Sequence, residues 1–143
     1  MNPDVKLYRL NENEKVDKYL NDQLDIVLNR LINLGHSKEI AISIIGFDRN
    51  DKDLRLLTAE IDSNLVGIIC YSEDSSASLI TINLVKADSQ KYENFLYSSL
   101  EKLSREQDFL YIKEILSLKD IERIEKLKNI GFTQEFICFF KRV

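Results

Sequence analysis

The chain has 143 residues, the size of a single domain, and its net charge of −4 (20 Lys and Arg against 24 Asp and Glu) lacks the basic footprint of a nucleic-acid or anionic-membrane binder. Its 4 glycines and 1 proline argue against flexible linkers and low-complexity repeats, and leave few residues for a glycine-rich phosphate loop. A hydrophobic share of 44% with 31% charged residues reads as a globular domain, with no apolar run near the ~18 residues of a membrane span.

In chain order, Val5 to Leu10 reads as a short strand. Asn11, three residues before Glu14, has the spacing of a capping box for the helix that follows. Val16, Tyr19, Leu20, Leu24, Val27, Leu31 and Leu34 recur at steps of three and four, the pattern of an amphipathic helix ending at Gly35. Ser37 is placed to cap a shorter helix with Ile40, Ala41, Ile44 and Ile45 on one face and Gly46 as its stop. Asp48 to Asp53 is a polar turn. It lacks the D-x-D-x-D-G order of a calcium loop.

Leu54–Ile61 and Leu65–Tyr71 are apolar runs separated by Asp62, Ser63 and Asn64, a hairpin signal. Ala77–Val85 alternates, with Leu79, Thr81, Asn83 and Val85 on one face and Ser78, Ile80, Ile82 and Leu84 on the other. Three strands joined by short turns predict an antiparallel meander. Ser89 or Asp88 can cap the next helix, whose stripe is Tyr92, Phe95, Leu96, Ser99, Leu100 and Leu103. Phe109–Leu116 reads as a strand. Asp120 caps a last helix that carries Ile121, Ile124 and Leu127 and stops at Gly131. Phe132–Val143, with Phe136, Ile137, Cys138, Phe139 and Phe140, predicts a closing strand covered on both faces. The order β-α-α-β-β-β-α-β-α-β describes one α/β (α+β) domain spanning residues 1–143.

Cys70 and Cys138 lie in apolar stretches without C-x-x-C spacing and read as small buried hydrophobes. With His36 as the only histidine, no metal site is expected. Met1–Leu10 has no signal-peptide core, so a cytoplasmic location is the expectation.

Two local patterns stand out within this order. A-E-I-D-S-N-L-V-G-I-I-C-Y (Ala59–Tyr71) and I-E-K-L-K-N-I-G-F (Ile124–Phe132) are similar to the second and third strands, and to the last helix running into Gly-Phe, of the GNAT (Gcn5-related N-acetyltransferase) superfamily. The resemblance covers nearly the whole chain. It implies a mixed, largely antiparallel central sheet flanked by helices, and acetyl-CoA bound where the fourth and fifth strands splay apart. It further implies an amine acceptor or, if the cofactor site has been lost, a small-molecule or protein partner.

The resemblance also implies where a cofactor would lie. The strand residues Asn83, Leu84 and Val85 would hold the pantetheine arm. The helix start Gln90, Lys91, Tyr92, Glu93, Asn94 and Phe95 would face the pyrophosphate, where free N–H groups and the helix dipole favour an anion. The family motif is Arg or Gln, two residues, Gly, one residue, then Gly or Ala. With Gln90 first, Glu93 and Phe95 take the small positions; with Lys91 first, Asn94 and Leu96 do. Neither register has glycine. A Glu93 carboxylate ~4 Å from a phosphate would cost about 4 kcal/mol at an effective dielectric near 20. Asp120 stands where the family commonly has asparagine, and Leu127 where it has the tyrosine general acid.

Other candidates divide between chemistry and packing. His36 suits a general base by type but reads as a solvated loop residue. Glu60 could take a proton from an amine, or be a strand-end carboxylate. Tyr92, Tyr97 and Tyr111 are candidate substitutes for the missing acid. Tyr92 and Tyr97 are more simply read as helix packing, and Tyr111 as strand core.

Overall fold

Residues 2–135 and 138–143 are described in a computed structural model. Five strands, β1 (Asp4–Arg9), β2 (Arg55–Ile61), β3 (Asn64–Asp74), β4 (Leu79–Ala87) and β5 (Tyr111–Glu114), form one sheet in sequential order. The first four pair antiparallel. β5 runs parallel to β4. That reversal needs a crossover, which the helix between them supplies. The helices are α1 (Glu14–Asn33), α2 (Lys38–Ile45), α3 (Gln90–Glu106) and α4 (Ile121–Asn129). The order through α4 matches the expectation from sequence.

Local signals fix most element ends. Ser37, Ser89 and Asp120 cap α2, α3 and α4 through side-chain oxygens that accept the Ile40, Tyr92 and Arg123 N–H groups. The start of α1 differs from the expectation. Asn13, not Asn11, is its cap, accepting the Lys15 and Val16 N–H groups at 3.0 and 3.2 Å. Asn11 instead takes a left-handed turn position at φ 68°, which asparagine tolerates. Asp62 and Ser63, at φ 50° and 67°, make the tight β2–β3 turn.

The sheet is covered on both faces. Leu56, Ile68, Cys70 and Leu84 meet Val16, Leu20, Leu24 and Ile45 of α1 and α2. Leu57, Ile69, Tyr71, Ile82 and Val85 meet Leu96, Tyr97 and Leu100 of α3 and Leu127 of α4. Burial pushes the Cys70 thiol up to about 12, so it is an inert core group. α3 comes down close on the sheet at Gly67. A Cβ there would sit 2.8 Å from Leu96 Cδ1 and 2.9 Å from the Ala87 Cβ, so glycine is required by approach and not by dihedral.

A bulge changes the faces of β4. Cys70 pairs with Leu84 and Tyr71 with Ile82, which leaves Asn83 as an extra residue. Strict alternation placed Leu84 with Ile80 and Ile82. The inserted residue instead sends Leu84 to the α1–α2 face and brings Val85 in line with Ile80 and Ile82.

The C-terminal expectation is corrected in part. Phe132 enters the α3–α4 core and packs edge-on to Tyr97, with ring centroids 5.9 Å apart. Beyond it, residues 133–135 and 138–143 form no strand, and Phe136 and Ile137 lie outside the described residues. Cys138 is exposed, as are Phe140 and Phe139, the latter at 89%. Apolar composition predicted burial there, but burial also requires a partner surface, which composition does not specify. β5 is likewise shorter than Phe109–Leu116, and Tyr111, read as core, is 65% exposed on this last strand of the sheet.

Candidate functional site

β4 and β5 are paired only from Leu79↔Tyr111 to Ile82↔Glu114. Past that point β4 runs on to Ala87 while the chain after Glu114 turns away, so the two strands splay. The bulge at Asn83 begins where the pairing ends. Beyond Ile82 the β5-facing edge of β4 has no strand partner among the described residues. A cleft of about 160 Å³ opens there, lined by Asn83–Lys86, Glu114–Ser117, the C-terminal half of α1 and the facing side of α4.

Asn83 is anchored at one end only. Its Nδ2 donates to the Ile45 and Gly46 carbonyls at 3.4 and 3.2 Å, tying β4 to the end of α2. Its Oδ1 is buried without a hydrogen-bond partner among the described residues. A buried unpaired acceptor is costly and points to a donor that arrives with a ligand or water.

The α3 end of the cleft is positioned by backbone. The Asp88 N–H donates to the Val66 carbonyl at 2.8 Å, which fixes the β4–α3 turn, and Ser89 caps the helix. The Ser89 Oγ takes the Tyr92 N–H and the Ser89 carbonyl takes the Glu93 N–H. The Gln90 and Lys91 N–H groups, first in the helix, have no intrahelical acceptor. Both residues are exposed, and the Gln90 Nε2 donates to the Asn94 Oδ1 at 2.8 Å. Tyr92 packs on the α3-side core, and Phe95 is half-buried outside the cleft wall. Neither fills the cleft.

Two arginine–carboxylate clusters line it. At the rim, Arg30 of α1 grips Asp120 with both prongs of its guanidinium, at 2.8 and 3.2 Å. Burial works to raise the Asp120 carboxyl, but the Arg30 hydrogen bonds, the Arg123 backbone N–H and the charges of both arginines together outweigh it and hold it below its ordinary value. At the floor, Arg123 of α4 donates to Glu93 of α3, to the Tyr97 hydroxyl and, at 3.3 Å, to Glu114 of β5. Tyr97 donates its hydroxyl proton to Glu114 at 2.5 Å. Burial pushes Glu114 up, although Arg123 and Tyr97 oppose it. Burial also raises Tyr97, with the Glu114 charge adding to it. Arg123 stays charged because Glu114, Tyr97 and Glu93 outweigh its desolvation.

The remaining sequence candidates are scattered. Glu60 pairs with Lys6 at 3.0 Å and is not in the cleft wall. His36 is half-buried rather than solvated, with Nε2 2.5 Å from the Oγ of Ser117, a buried cleft residue. Leu127 lies in the α3–α4 core. Sequence reading missed Arg123 and Glu114. The available signal for Arg123 was its position four residues before Leu127, on the same buried face of α4. No group of three or more His, Cys, Asp or Glu able to hold a metal occurs among the described residues.

This architecture matches solved structures along nearly its full length. YycN of Bacillus subtilis aligns with a TM-score of 0.70 over 98% of this chain and 99% of that one, at 11% identity. The fold is that of the GNAT acetyltransferases. The ribosomal-protein-alanine N-acetyltransferase of Brucella melitensis aligns at 0.65 over 98% of each chain with 13% identity. The aminoglycoside N-acetyltransferase AAC(6')-Iy, solved in complex with CoA, also aligns at 0.65, over 99% of this chain and 97% of that one with 11% identity. No family model and no curated protein sequence matches the chain. The GNAT fold is thus shared through structure, at identities too low to carry function. Among the described residues, no helix is long and apolar enough to cross a membrane.

Proposed function

We propose that this GNAT-fold protein is an acyl-CoA-dependent N-acyltransferase that acts on an amine. The observation that carries this reading is the splayed β4–β5 cleft, with an unpaired β4 edge running toward the capped N-terminus of α3.

The backbone fits acetyl-CoA. The edge of Asn83, Leu84 and Val85 offers hydrogen-bonding groups for an extended, amide-containing arm. The Gln90 and Lys91 N–H groups and the Lys91 charge suit a pyrophosphate. The side chains fit except at Glu93, whose carboxylate occupies the first turn of α3. When bound, the cofactor supplies an acyl group activated as a thioester. The chain's own residues orient the arm on β4 and shelter the reacting centre between α1 and α4. Glu114 lines the cleft with one oxygen held by the Tyr97 hydroxyl and the other by Arg123, so its part is to fix that guanidinium. The orphaned Asn83 Oδ1 offers an acceptor for an N–H donor.

Thermal shift and calorimetry with acetyl-CoA test this. At 100 times its Kd, the ligand stabilises the protein by about 2.7 kcal/mol. No shift at millimolar cofactor overturns the proposal.

One observation favours a second reading, a binding module that keeps the fold without the cofactor. Arg123 joins Glu93 to Glu114 across the floor of the splay, and Leu127 has no proton to donate. Under this reading the cleft takes a small molecule or a protein segment. Turnover of acetyl-CoA with any amine excludes it.

A further inference from the structure

The floor of the cleft holds more carboxylate than its cation requires. Arg123 faces two carboxylates, Glu93 and Glu114, from different elements. Glu114 is additionally held by the Tyr97 hydroxyl, whereas Arg123 is the only side chain found bonded to the Glu93 carboxylate among the described residues. Glu93 therefore has the fewer partners of the two, although its contact with Arg123 is the closer one. It also belongs to the first turn of α3, where free N–H groups and the helix dipole attract an anion. Guanidinium N–H groups donate to carboxylate and phosphate oxygens alike, and the Nη1 of Arg123 is the end that Glu93 occupies.

We propose that Arg123 is a phosphate-binding residue of this cleft and that Glu93 is its built-in competitor. This rests on the acyl-CoA reading for the identity of the ligand, but not for the chemistry of the site. Glu93 occupies the guanidinium in the ligand-free protein. An incoming pyrophosphate takes its place, and Glu93 turns out past the exposed Gln90 and Lys91. The exchange replaces one anion by another. Arg123 never goes unpaired, because Glu114 and Tyr97 hold its other side. The cleft-lining Lys86 adds positive charge beside the site, whereas Lys126 is already paired with Glu122 at 3.2 Å. The absence of glycine from the α3 start is then offset by a side chain from α4 instead of by close backbone approach. Arg30 does not serve the same role, since Asp120 takes both of its prongs.

Calorimetric titration of inorganic pyrophosphate into the full chain tests the proposal apart from any activity. Glu93→Gln frees the guanidinium at constant side-chain size and should tighten pyrophosphate binding about tenfold, the worth of one charge-assisted hydrogen bond. Adding Arg123→Gln to that variant should abolish the gain. If this double variant fails to fold by circular dichroism, Arg123→Lys in its place keeps the charge, loses the fork, and should give an intermediate affinity. Unchanged affinity in Glu93→Gln overturns the proposal. So does a gain that survives the loss of the Arg123 guanidinium, because the helix N-terminus alone would then explain it. A parallel titration with acetyl-CoA separates the two readings. Tighter pyrophosphate binding without acetyl-CoA binding keeps the phosphate site and removes the acyl-CoA function. Acetyl-CoA binding that Glu93→Gln does not improve keeps the function and removes Glu93 as competitor.

Discussion

The rim and the floor of the cleft use the same chemistry with different consequences. At the rim, Arg30 is 49% exposed by side chain and pairs with Asp120, which also caps α4, and at 3.8 Å with the exposed Glu122. At the floor, Arg123 is 15% exposed and holds two carboxylates and a tyrosine from α3 and β5. Asp120 is itself only 8% exposed by side chain, so the rim differs from the floor in its arginine, which water solvates when the pair breaks. Water reaches the floor poorly, so each floor group depends on the others. Each arginine faces two carboxylates, so the electrostatic contribution here follows the burial of the cation more than the kind of residue.

The largest expected effect tests that dependence. Arg123→Met leaves Glu93 and Glu114 buried without their cation and should cost about 3–5 kcal/mol in urea unfolding. A loss below 1 kcal/mol would show that the floor is hydrated and that the contrast with the rim is false. Asp120→Ala comes next. It removes a helix cap and the Arg30 partner together, for about 2 kcal/mol. Asp120→Asn keeps a capping oxygen and should recover about half of that loss. Arg30→Met should cost least, about 0.5–1 kcal/mol, with added salt shrinking the difference from wild type.

The pH dependence is the most delicate test, because the two carboxylates act in opposite directions. Glu114 has its folded pKa raised above an ordinary value of 4.5. Its contribution to stability is complete below that value and is lost as pH rises through the folded pKa. Asp120 is depressed below an ordinary value of 3.8. Its contribution is complete above that value and is lost as pH falls through the folded pKa. Denaturant midpoints measured against pH should therefore lose their decline above 4.5 in Glu114→Gln, and part of their decline below 3.8 in Asp120→Asn. Identical profiles for the two variants would mean that their partners do not set the two buried carboxylates apart.

Legibility from sequence also differed along the chain. The hairpin at Asp62–Ser63, the serine caps and the long stripe of α1 are local signals, carried by residues a few positions apart. Asn11 misled because asparagine suits a left-handed turn as well as a cap, and Asn13 had the better-placed backbone. The faces of β4 were misassigned from Leu84 onward because one bulged residue breaks a two-residue period, and nothing local announces it. Of the residues read from sequence as facing a cofactor, Asn83–Val85, Glu93 and Asp120 line the cleft, whereas Gln90, Lys91, Tyr92, Asn94 and Phe95 do not. The sequence did not connect Glu93 to Arg123, thirty residues on, or Glu114 to Tyr97, because those contacts exist only once α4 and β5 are set against α3.

Length, composition, periodicity and turn chemistry by themselves determined the α/β (α+β) class, the run of elements through α4, and an α3 start without glycine. All of these depend on interactions within a few residues of chain. Tertiary structure alone decided where β4 and β5 part, that Phe95 stays clear of the cleft, and that the Glu93 carboxylate is answered by Arg123. Each of those depends on groups distant in sequence sharing one desolvated volume, where charges must find partners that chain order does not reveal.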